Sequence, residues 1–391
     1  MDFYLPENVQ KALNILTSAG HEAYLVGGCV RDALRGAVPH DYDIATNALP
    51  EQTLAAFSEY RTIATGIRHG TVTVLLDHMP LEITTYRVDG VYVDHRRPDD
   101  VTFTPSLCED LARRDFTVNA MAYHPDHGLV DPFRGAADLS RGIIRAVGEP
   151  MARFTEDALR ILRALRFSAR FGFAIEDRTK DAIFALADTL TLIAPERVRE
   201  ELVGMIVAKN AASVMREYAA VIAVVCPWGA LTEAFDALPA DTAILRLADF
   251  FLAAGESGAR KALSALRFDN KTAKAVCTVL SLYKEEITAD RECVCRLLRK
   301  VGDVALRQGL ALRAAHGIDD GASLPLIENI LTEKFPYTLG MLAVSGEDLA
   351  AIGAPRGPRI GELLEMLYTA LVRNEIENER EQMLAYIKQY I

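Results

Sequence analysis

The chain has 391 residues, of which half are hydrophobic and a quarter are charged. These proportions exclude a disordered or fibrous chain, and the length predicts about two to four domains. The formal net charge of −11 excludes a protein coated in basic surface for bulk binding of nucleic acid. A local basic groove would still suffice for a specific nucleic-acid ligand.

The sequence also indicates a compartment. No apolar run approaches the length of a membrane span. The N-terminal segment, MDFYLPENVQKAL, carries acidic residues and no signal-peptide core. The six cysteines follow neither a disulfide framework nor zinc-ligand spacing. We therefore expect a reducing, cytoplasmic environment and no membrane partner.

The first third of the chain mixes helix and strand patterns. The predicted elements are a helix over Glu7–Ser18 and strands over Ala23–Val26, Tyr42–Ala45, Thr71–Leu76 and Leu81–Arg87. The last two strands are separated by the short turn DHMP and should form an antiparallel hairpin. The polar stretch from Asp89 to Asp100 is predicted to be a mobile loop, and Leu107 to Ala122 is predicted to be helical.

The most informative segment is Leu25–Ala45, LVGGCVRDALRGAVPHDYDIA. At Gly27 and Gly28 a strand enters a turn, where the backbone can approach a ligand and free N–H groups suit phosphate. Asp41 and Asp43 are predicted to share one face of a short strand, where two carboxylates can hold a divalent metal. The segment has neither the EF-hand glycine and glutamate nor the P-loop Gly-Lys-Ser/Thr. A phosphate cradle beside a metal pair indicates phosphoryl or nucleotidyl transfer.

Two further segments are rich in arginine. In RRDFTVNAMAY, Arg113–Tyr123, two arginines ahead of a helical stretch could reach phosphate or a base edge; a surface charge pair is the alternative. In FTEDALRILRALRFSARFGF, Phe154–Phe173, a helix is predicted to begin at Thr155. Acidic residues at the positive end of the helix dipole favour that start.

The predicted helix has two distinct faces. At about 100° per residue, one face carries Arg160, Arg163, Arg166 and Arg170. The opposite, packed face carries Ala158, Ile161, Leu162, Leu165 and Ala169. An exposed, salt-bridged helix is possible, but four arginines near a single acid are uncompensated. We therefore expect them to bind an anion such as a nucleoside triphosphate.

Asp157 and Arg160 could also read a base. A carboxylate accepts from the exocyclic amino groups of cytosine and adenine, and a guanidinium donates to ring nitrogens and to the cytosine carbonyl. Guanine and uracil present opposite groups on those edges. The pair could therefore select C and A without a nucleic-acid template.

The chain changes character after about Ala137, where helical periodicity takes over to the C-terminus. We predict an α+β protein in which a head with a mixed sheet is followed by an all-α neck, body and tail. The predicted domains are residues 1–136 (head), 137–205 (neck), 206–325 (body) and 326–391 (tail). Residues 212–342 carry no motif that can be interpreted beyond helical packing.

Five ordered motifs carry a family resemblance: LVGGCVRDALRG with DYD, RRDFTVNAM, DPFRG, EDALRILRALRF and ERVREE. They resemble the class II tRNA nucleotidyltransferases, the CCA-adding enzymes of the polymerase-β-like nucleotidyltransferase superfamily. The resemblance covers roughly residues 20 to 205, and a weaker one covers the segment that begins at Gly346. Bacterial poly(A) polymerases share these motifs.

The resemblance implies a role for each matching residue. Asp41 and Asp43 match magnesium ligands, and Glu82 on the hairpin is a candidate third carboxylate, although a structural role is as plausible. Gly28 and Arg31 match positions that hold the triphosphate, and Arg114 matches a nucleotide contact. Asp157 and Arg160 match the base-reading pair, and Arg163 and Arg166 match further nucleotide contacts.

Other matches concern the frame around the site. Asp131–Gly135 matches a motif at the head–neck junction, where the family often has glycine at the position of Arg134. Glu196, Arg197 and Glu200 match a neck motif that we interpret as structural support. Arg356 and Arg359 precede a predicted helix whose start suits RNA phosphate; a plain loop is the alternative. In the family this tail contacts the tRNA elbow.

The resemblance implies CCA addition to tRNA from CTP and ATP with Mg²⁺, and neither DNA nor a membrane as partner. The polar segment VYVDHRRPDD favours retained addition of the terminal A, because CC-adding relatives lack that loop. The acidic C-terminal segment favours tRNA maturation over polyadenylation, while an enzyme that adds only A remains an alternative. An adenylyltransferase acting on a small molecule or protein, and an inactive RNA-binding protein, fit the motifs less well. No feature indicates an oligomeric state.

Overall fold

The computed structural model describes residues 5–89, 101–318 and 321–391. The predicted loop at Asp89–Asp100 lies outside the described residues, apart from the backbone of Asp89. The chain forms two compact units, Met1–Pro227 and Trp228–Ile391. The four-part division into head, neck, body and tail stays a prediction.

The first unit contains both helices and strands. Its helices are α1 (Glu7–Ser18), α2 (Gly28–Leu34), α3 (Pro50–Ala56), α4 (Leu107–Ala112), α5 (Gly135–Arg141), α6 (Pro150–Glu156), α7 (Leu159–Phe171), α8 (Asp177–Ala185), α9 (Pro195–Ile206), α10 (Ala211–Glu217) and α11 (Ala219–Val225). Short 3₁₀ turns include Ile67–His69, Thr117–Asn119 and Ala187–Leu192.

Its strands are β1 (Ala23–Val26), β2 (Asp43–Thr46), β3 (Arg61–Ile63), β4 (Thr71–Leu76), β5 (Met79–Thr85), β6 (Arg87–Asp89), β7 (Val101–Phe103), β8 (Ala122–His124), β9 (Gly128–Val130), β10 (Ile143–Ile144) and β11 (Ala174–Ile175). A seven-stranded sheet has the order β3-β4-β5-β2-β1-β8-β9. Its β2–β5 pair is parallel and its other pairs are antiparallel. The predicted mixed sheet of the head is therefore confirmed.

The predicted hairpin is confirmed as β4–β5, with Leu76 opposite Met79. Residues alternate between buried and less buried positions along β4, as expected for a sheet with one covered face. The connecting residues Asp77 and His78 both have positive φ, 47° and 70°. Two-residue hairpin turns adopt this geometry because it follows the twist of the strands.

A small apolar cluster lies beneath the motifs of the head. It joins Val26 of β1, Ala45 of β2 and Ala122 of β8 to Tyr86 and Leu111. This packing fixes the ends of β1 and β2, where the glycine turn and the aspartates lie. Burial of these side chains thus sets the position of the polar residues beside them.

The segment Leu107–Ala122 is not the continuous helix that the sequence predicted. Helix α4 ends at Ala112, a 3₁₀ turn covers Thr117–Asn119, and β8 begins at Ala122. Phe116 and Val118 are fully buried. A chain that buries these side chains and then pairs with β1 cannot stay helical, so tertiary packing overrides the local pattern.

The predicted start of the arginine-rich helix at Thr155 is also wrong. Thr155 lies within α6, Asp157 is extended (φ −140°, ψ 101°), and α7 begins at Leu159. The predicted packed face is confirmed, because Ala158, Ile161, Leu162, Leu165 and Ala169 are all buried. Helix α7 packs against α9 and α10.

In the described part of the second unit, the secondary-structure elements are all helices. Its helices are α12 (Ala243–Phe250), α13 (Gly255–Ala265), α14 (Asn270–Lys284), α15 (Arg291–Val301), α16 (Asp303–Ala315), α17 (Ser323–Thr332), α18 (Gly346–Ala351), α19 (Pro358–Val372) and α20 (Arg380–Ile387). One apolar cluster extends from Leu282 through α15 and α19 to Ile387. Among the described residues, none of the helices has the length and apolarity that crossing a membrane requires.

Candidate active site

The sequence motifs of the first unit meet in one cleft of about 800 Å³. Residues from the glycine turn, the aspartate segment, the RRDF segment, α7 and α9 contribute its lining. The lining residues are Gly27, Gly28, Arg31, Asp41, Asp43, Arg113, Arg114, Asp115, Asn119, Asp157, Leu159, Arg160, Arg163, Arg166, Phe167, Arg197, Glu200 and Glu201. The cleft therefore joins every predicted site residue of this unit except Glu82.

The aspartates lie at the start of β2. Asp43 is its first residue, whereas Asp41 precedes the strand, so the prediction that both lie on it was wrong by two residues. Both are exposed on either side of buried Tyr42, so they still share one face. The parallel register places Glu82 of β5 next to Asp43, and Glu82 is also exposed.

These carboxylates affect one another. Desolvation of Asp43 by the surrounding cleft and the negative charges of Glu82 and Asp41 raise the pKa of Asp43 above its usual range, and Arg114 opposes the shift. A bound cation would remove this repulsion, and carboxylate oxygens are the donors that hard divalent ions prefer. Within the described ranges, no three His, Cys, Asp or Glu side chains are grouped as metal ligands. The fit to a metal therefore depends on Asp41 and Asp43.

Arg114 lies close to the backbone of the glycine turn at Gly27. Gly27 has a φ of 75°, and a Cβ there would lie 2.9 Å from the Arg114 Nη1. Gly28 has ordinary φ, and its added Cβ would only touch Arg31 at 3.7 Å. Of the two glycines of the predicted turn, Gly27 has the conformation and close approach that require glycine.

Asp110 holds the two arginines of the RRDF segment. It is 1% exposed and accepts hydrogen bonds from Arg113 Nε and Arg114 Nη2 at 2.9 and 3.2 Å. Although burial alone would raise it, Arg114 and Arg113 lower the pKa of Asp110. The ionised carboxylate fixes Arg114 beside the glycine turn.

Asp157 and Arg160 both line the cleft, and other residues hold each of them in place. Asp157 accepts from the backbone N–H of Leu159 and from Arg197 Nη2, each at 3.1 Å. Arg160 is 7% exposed and donates to Glu156 and to the Arg113 carbonyl at 2.8 and 3.0 Å. Asp157 lies in the break between α6 and α7, so it is not part of the helix that carries Arg160.

Arg160, Arg163 and Arg166 have acidic partners, whereas the sequence predicted that they are uncompensated. Arg163 Nε donates to Asp115 at 2.8 Å, and Arg166 forms an ion pair with Glu201. Seven arginines and six carboxylates line the cleft. An anionic ligand therefore meets arginines that are already held in place, rather than a bare positive stripe.

Sequence reasoning missed several lining residues. Asp115 and Asn119 lie in the RRDF segment, for which only the arginines were considered, and Glu201 is the last residue of the ERVREE motif. Arg197 was interpreted as structural support, yet it contacts Asp157. Their position within motifs already identified was the available signal.

The predicted RNA-binding residues lie in the second unit. Arg356 is exposed in the segment before α19. Arg359 is in the first turn of α19 and donates to Glu362 and to the Tyr390 carbonyl, both at 2.8 Å. Their role stays a prediction.

Comparisons with known families cover most of the chain. The family described as "Poly A polymerase head domain" matches residues 23–145, and "Probable RNA and SrmB-binding site of polymerase A" matches residues 172–220. A third family, described as tRNA nucleotidyltransferase domain 2, matches residues 240–387.

Individual relatives match over nearly the whole length. A CCA-adding enzyme of Streptococcus thermophilus is 36% identical, with 98% of each chain covered. The crystal structure of a Bacillus stearothermophilus CCA-adding enzyme in complex with CTP is 32% identical, with a TM-score of 0.82 over 99% of this chain and 98% of that one. A Thermotoga maritima CCA-adding enzyme complexed with tRNA, at 21% identity, shares the fold with a TM-score of 0.71 over 100% and 97% of the two chains.

Proposed function

The chain belongs to the family of CCA-adding enzymes, the tRNA nucleotidyltransferases, and we propose that it adds C, C and A to the 3′ end of tRNA from CTP and ATP. The observation that carries this proposal is the meeting of Asp41 and Asp43 with Arg114, Asp157 and Arg160 in one cleft. Template-independent nucleotidyl transfer requires carboxylates that hold a metal, arginines that bind phosphate, and a pair of side chains that recognises C and A.

Asp41 and Asp43 would hold the divalent ion, for which we propose Mg²⁺, with Glu82 as the adjacent third carboxylate. When bound, the metal supplies Lewis-acid activation of the RNA 3′-hydroxyl and of the α-phosphate. The protein itself positions the triphosphate through Gly28, Arg31 and Arg114, aided by Arg163 and Arg166. Because their partners already orient these arginines, little ordering is left for the moment of reaction.

Asp157 and Arg160 select the base. Two Asp157 contacts leave further carboxylate lone pairs, which can accept from the amino group of C or A. Arg160 donates to ring acceptors that both bases share. Since protein groups and not a template strand present these contacts, selection needs no complementary nucleic acid.

The second unit supports the tRNA side of the proposal. Exposed Arg356 and nearby Arg359 at the start of α19 would contact RNA backbone phosphate and so read tRNA shape rather than sequence. A cytoplasmic location is proposed as well, because the spacing of the six cysteines fits neither a disulfide framework nor a zinc site. We further propose the boundaries 1–136, 137–205, 206–325 and 326–391 for head, neck, body and tail.

The decisive experiment measures nucleotide incorporation on three tRNA transcripts that end before CCA, after C and after CC. Each is supplied with CTP, ATP or both in the presence of Mg²⁺. We expect the first transcript to gain CCA and then stop. Asp41→Asn should abolish incorporation on all three, whereas Asp181→Asn, an exposed change on α8 of the neck, should not.

Other outcomes identify other activities. Addition of A to the CC-ending transcript alone would mean an enzyme that adds only A. Long A tails on unrelated RNA would mean a poly(A) polymerase. No incorporation on any RNA, with intact tRNA binding, would contradict the proposal altogether.

A further inference from the structure

A buried chain of hydrogen bonds links α2 in the head to α7 in the neck. Arg31 Nη1 donates to Asn119 Oδ1 at 2.6 Å, and Asn119 Nδ2 donates to Asp115 Oδ1 at 3.1 Å. The other oxygen of Asp115 accepts from Arg163 at 2.7 and 2.8 Å. Two arginines proposed to hold one triphosphate are therefore tied together through Asn119 and Asp115.

Asn119 suits this connecting position because its amide is both donor and acceptor. Its oxygen faces a cation and its nitrogen faces an anion, which fixes the orientation of the amide. Asn119 is 7% exposed and Asp115 is 8% exposed, so water cannot easily replace either partner. Arg163 and the Asn119 amide hold the pKa of Asp115 at about 2 despite its burial, and the carboxylate stays ionised.

The two arginines are also held by one aromatic ring. The Arg31 guanidinium lies 5.5 Å from the Phe167 ring and that of Arg163 lies 5.3 Å from it. Asp32 binds the far edge of Arg31 at 2.9 and 3.0 Å. With stacking and Asp32 setting the plane of Arg31, the Asn119 contact sets its rotation toward the cleft.

We infer that Asn119 is a positioning residue for triphosphate binding, which aligns Arg31 of the head with Arg163 of the neck so that both contact one nucleotide. This inference rests on the proposed function. Asn119 is assigned no contact with the base, so loss of its side chain should weaken the binding of CTP and of ATP equally. That separates it from Asp157 and Arg160, whose loss should change the selection of C and A.

A purely structural role makes a different prediction. If Asn119 only stabilises the fold, its removal lowers the unfolding temperature and leaves the contribution of Arg31 to binding unchanged. If Asn119 positions Arg31, removing Arg31 has a much smaller effect once Asn119 is gone. A double-mutant cycle measures this difference directly.

The test is calorimetric titration of the full chain, with Mg²⁺, using inorganic tripolyphosphate and, separately, CTP and ATP. The variants are Asn119→Ala, Arg31→Ala and the double variant. Asn210→Ala is the matched control, because Asn210 donates to the Ala169 carbonyl at 3.2 Å and lines a different pocket of the first unit. Asn119→Ser replaces the alanine variant if that protein does not fold.

We expect Asn119→Ala to weaken the binding of tripolyphosphate, CTP and ATP about tenfold each. Asn210→Ala should leave the three affinities unchanged. Arg31→Ala should weaken binding of each ligand about tenfold in the wild type and about twofold or less in the Asn119→Ala background. Equal effects of Arg31→Ala in both backgrounds would overturn the inference. Wild-type protein that binds neither CTP nor ATP would instead overturn the proposed function.

Discussion

Asp115 and Glu201 determine how the arginines of the cleft are presented. Each is buried and pairs with an arginine of α7, Asp115 with Arg163 and Glu201 with Arg166. Removing one partner of such a pair leaves an uncompensated buried charge. These acids therefore belong to the site as much as the arginines do.

Asp115 should make folding stability depend on pH. Burial would raise its pKa, but Arg163 and Asn119 lower it from 3.8 to about 2. A depressed pKa contributes stability above the ordinary value of 3.8, and this contribution is lost as pH falls through about 2. At pH 3 the loss should be about 1 kcal/mol relative to pH 6.

The measurement is denaturant unfolding of the wild type and Asp115→Asn between pH 6 and pH 3. The stability difference between them should shrink below about pH 4, because the Asp115 carboxylate takes up a proton in the unfolded wild type while it stays largely ionised in the folded protein, and Asp115→Asn has no such group. A difference that is constant over this range would show that Asp115 does not carry the effect.

Asp157 should determine which nucleotide is incorporated more than how tightly the nucleotide binds. Asp157→Ala removes the acceptor for the amino group of C and A, so misincorporation of U or G should rise roughly tenfold relative to C and A. Single-nucleotide incorporation from each of the four nucleotides checks this. Asp181→Ala, an exposed change on α8, is the control, and full selectivity in Asp157→Ala would refute the assigned role.

At the scale of elements, the turn before α5 carries local strain. Arg134 has a left-handed φ of 59°, and Asp131 accepts from the backbone N–H groups of Gly135 and Ala136 at 2.7 and 3.0 Å. A Cβ on Gly135 would lie 2.1 Å from the Thr117 carbonyl. The helix start is thus fixed against the RRDF segment, and the backbone of Arg134 accommodates it.

Arg134→Gly should therefore stabilise the protein by up to about 1 kcal/mol, because glycine adopts a positive φ without a steric cost. Urea unfolding measures the change. The control is Ala137→Gly, at an exposed right-handed position of α5, which should destabilise by about 1 kcal/mol. Loss of stability in Arg134→Gly would mean that the arginine side chain outweighs its backbone strain.

At the scale of the whole molecule, the predicted nucleotide contacts and the predicted RNA contacts lie in different compact units. The cleft belongs entirely to the first unit, whereas Arg356 and Arg359 belong to the second. Substitutions in the second unit should then affect RNA binding without affecting nucleotide binding.

Arg356→Ala should weaken tRNA binding severalfold, lower the slope of its salt dependence by about 1, and leave CTP binding unchanged. Filter binding of tRNA at several salt concentrations provides the measurement. Arg260→Ala, on α13 of the same unit and similarly exposed, serves as control. An unchanged salt slope would remove Arg356 from the RNA interface.

Local patterns determined a large part of this protein. Helix α1, strands β1 and β4, the β4–β5 hairpin and the packed face of α7 follow from periodicity and turns within a few residues. The ordered motifs identified the family, which the comparisons confirm. Such features depend on neighbours along the chain, and the sequence shows those neighbours directly.

Only the tertiary structure decided how distant segments meet. Asp115 and Arg163 are 48 residues apart, and Glu201 and Arg166 are 35 residues apart, so no periodicity could pair them. The parallel β2–β5 register alone placed Glu82 beside Asp43. The break at Asp157 and the end of α4 likewise follow from burial against other segments, because packing free energy exceeds the small differences in local helix propensity.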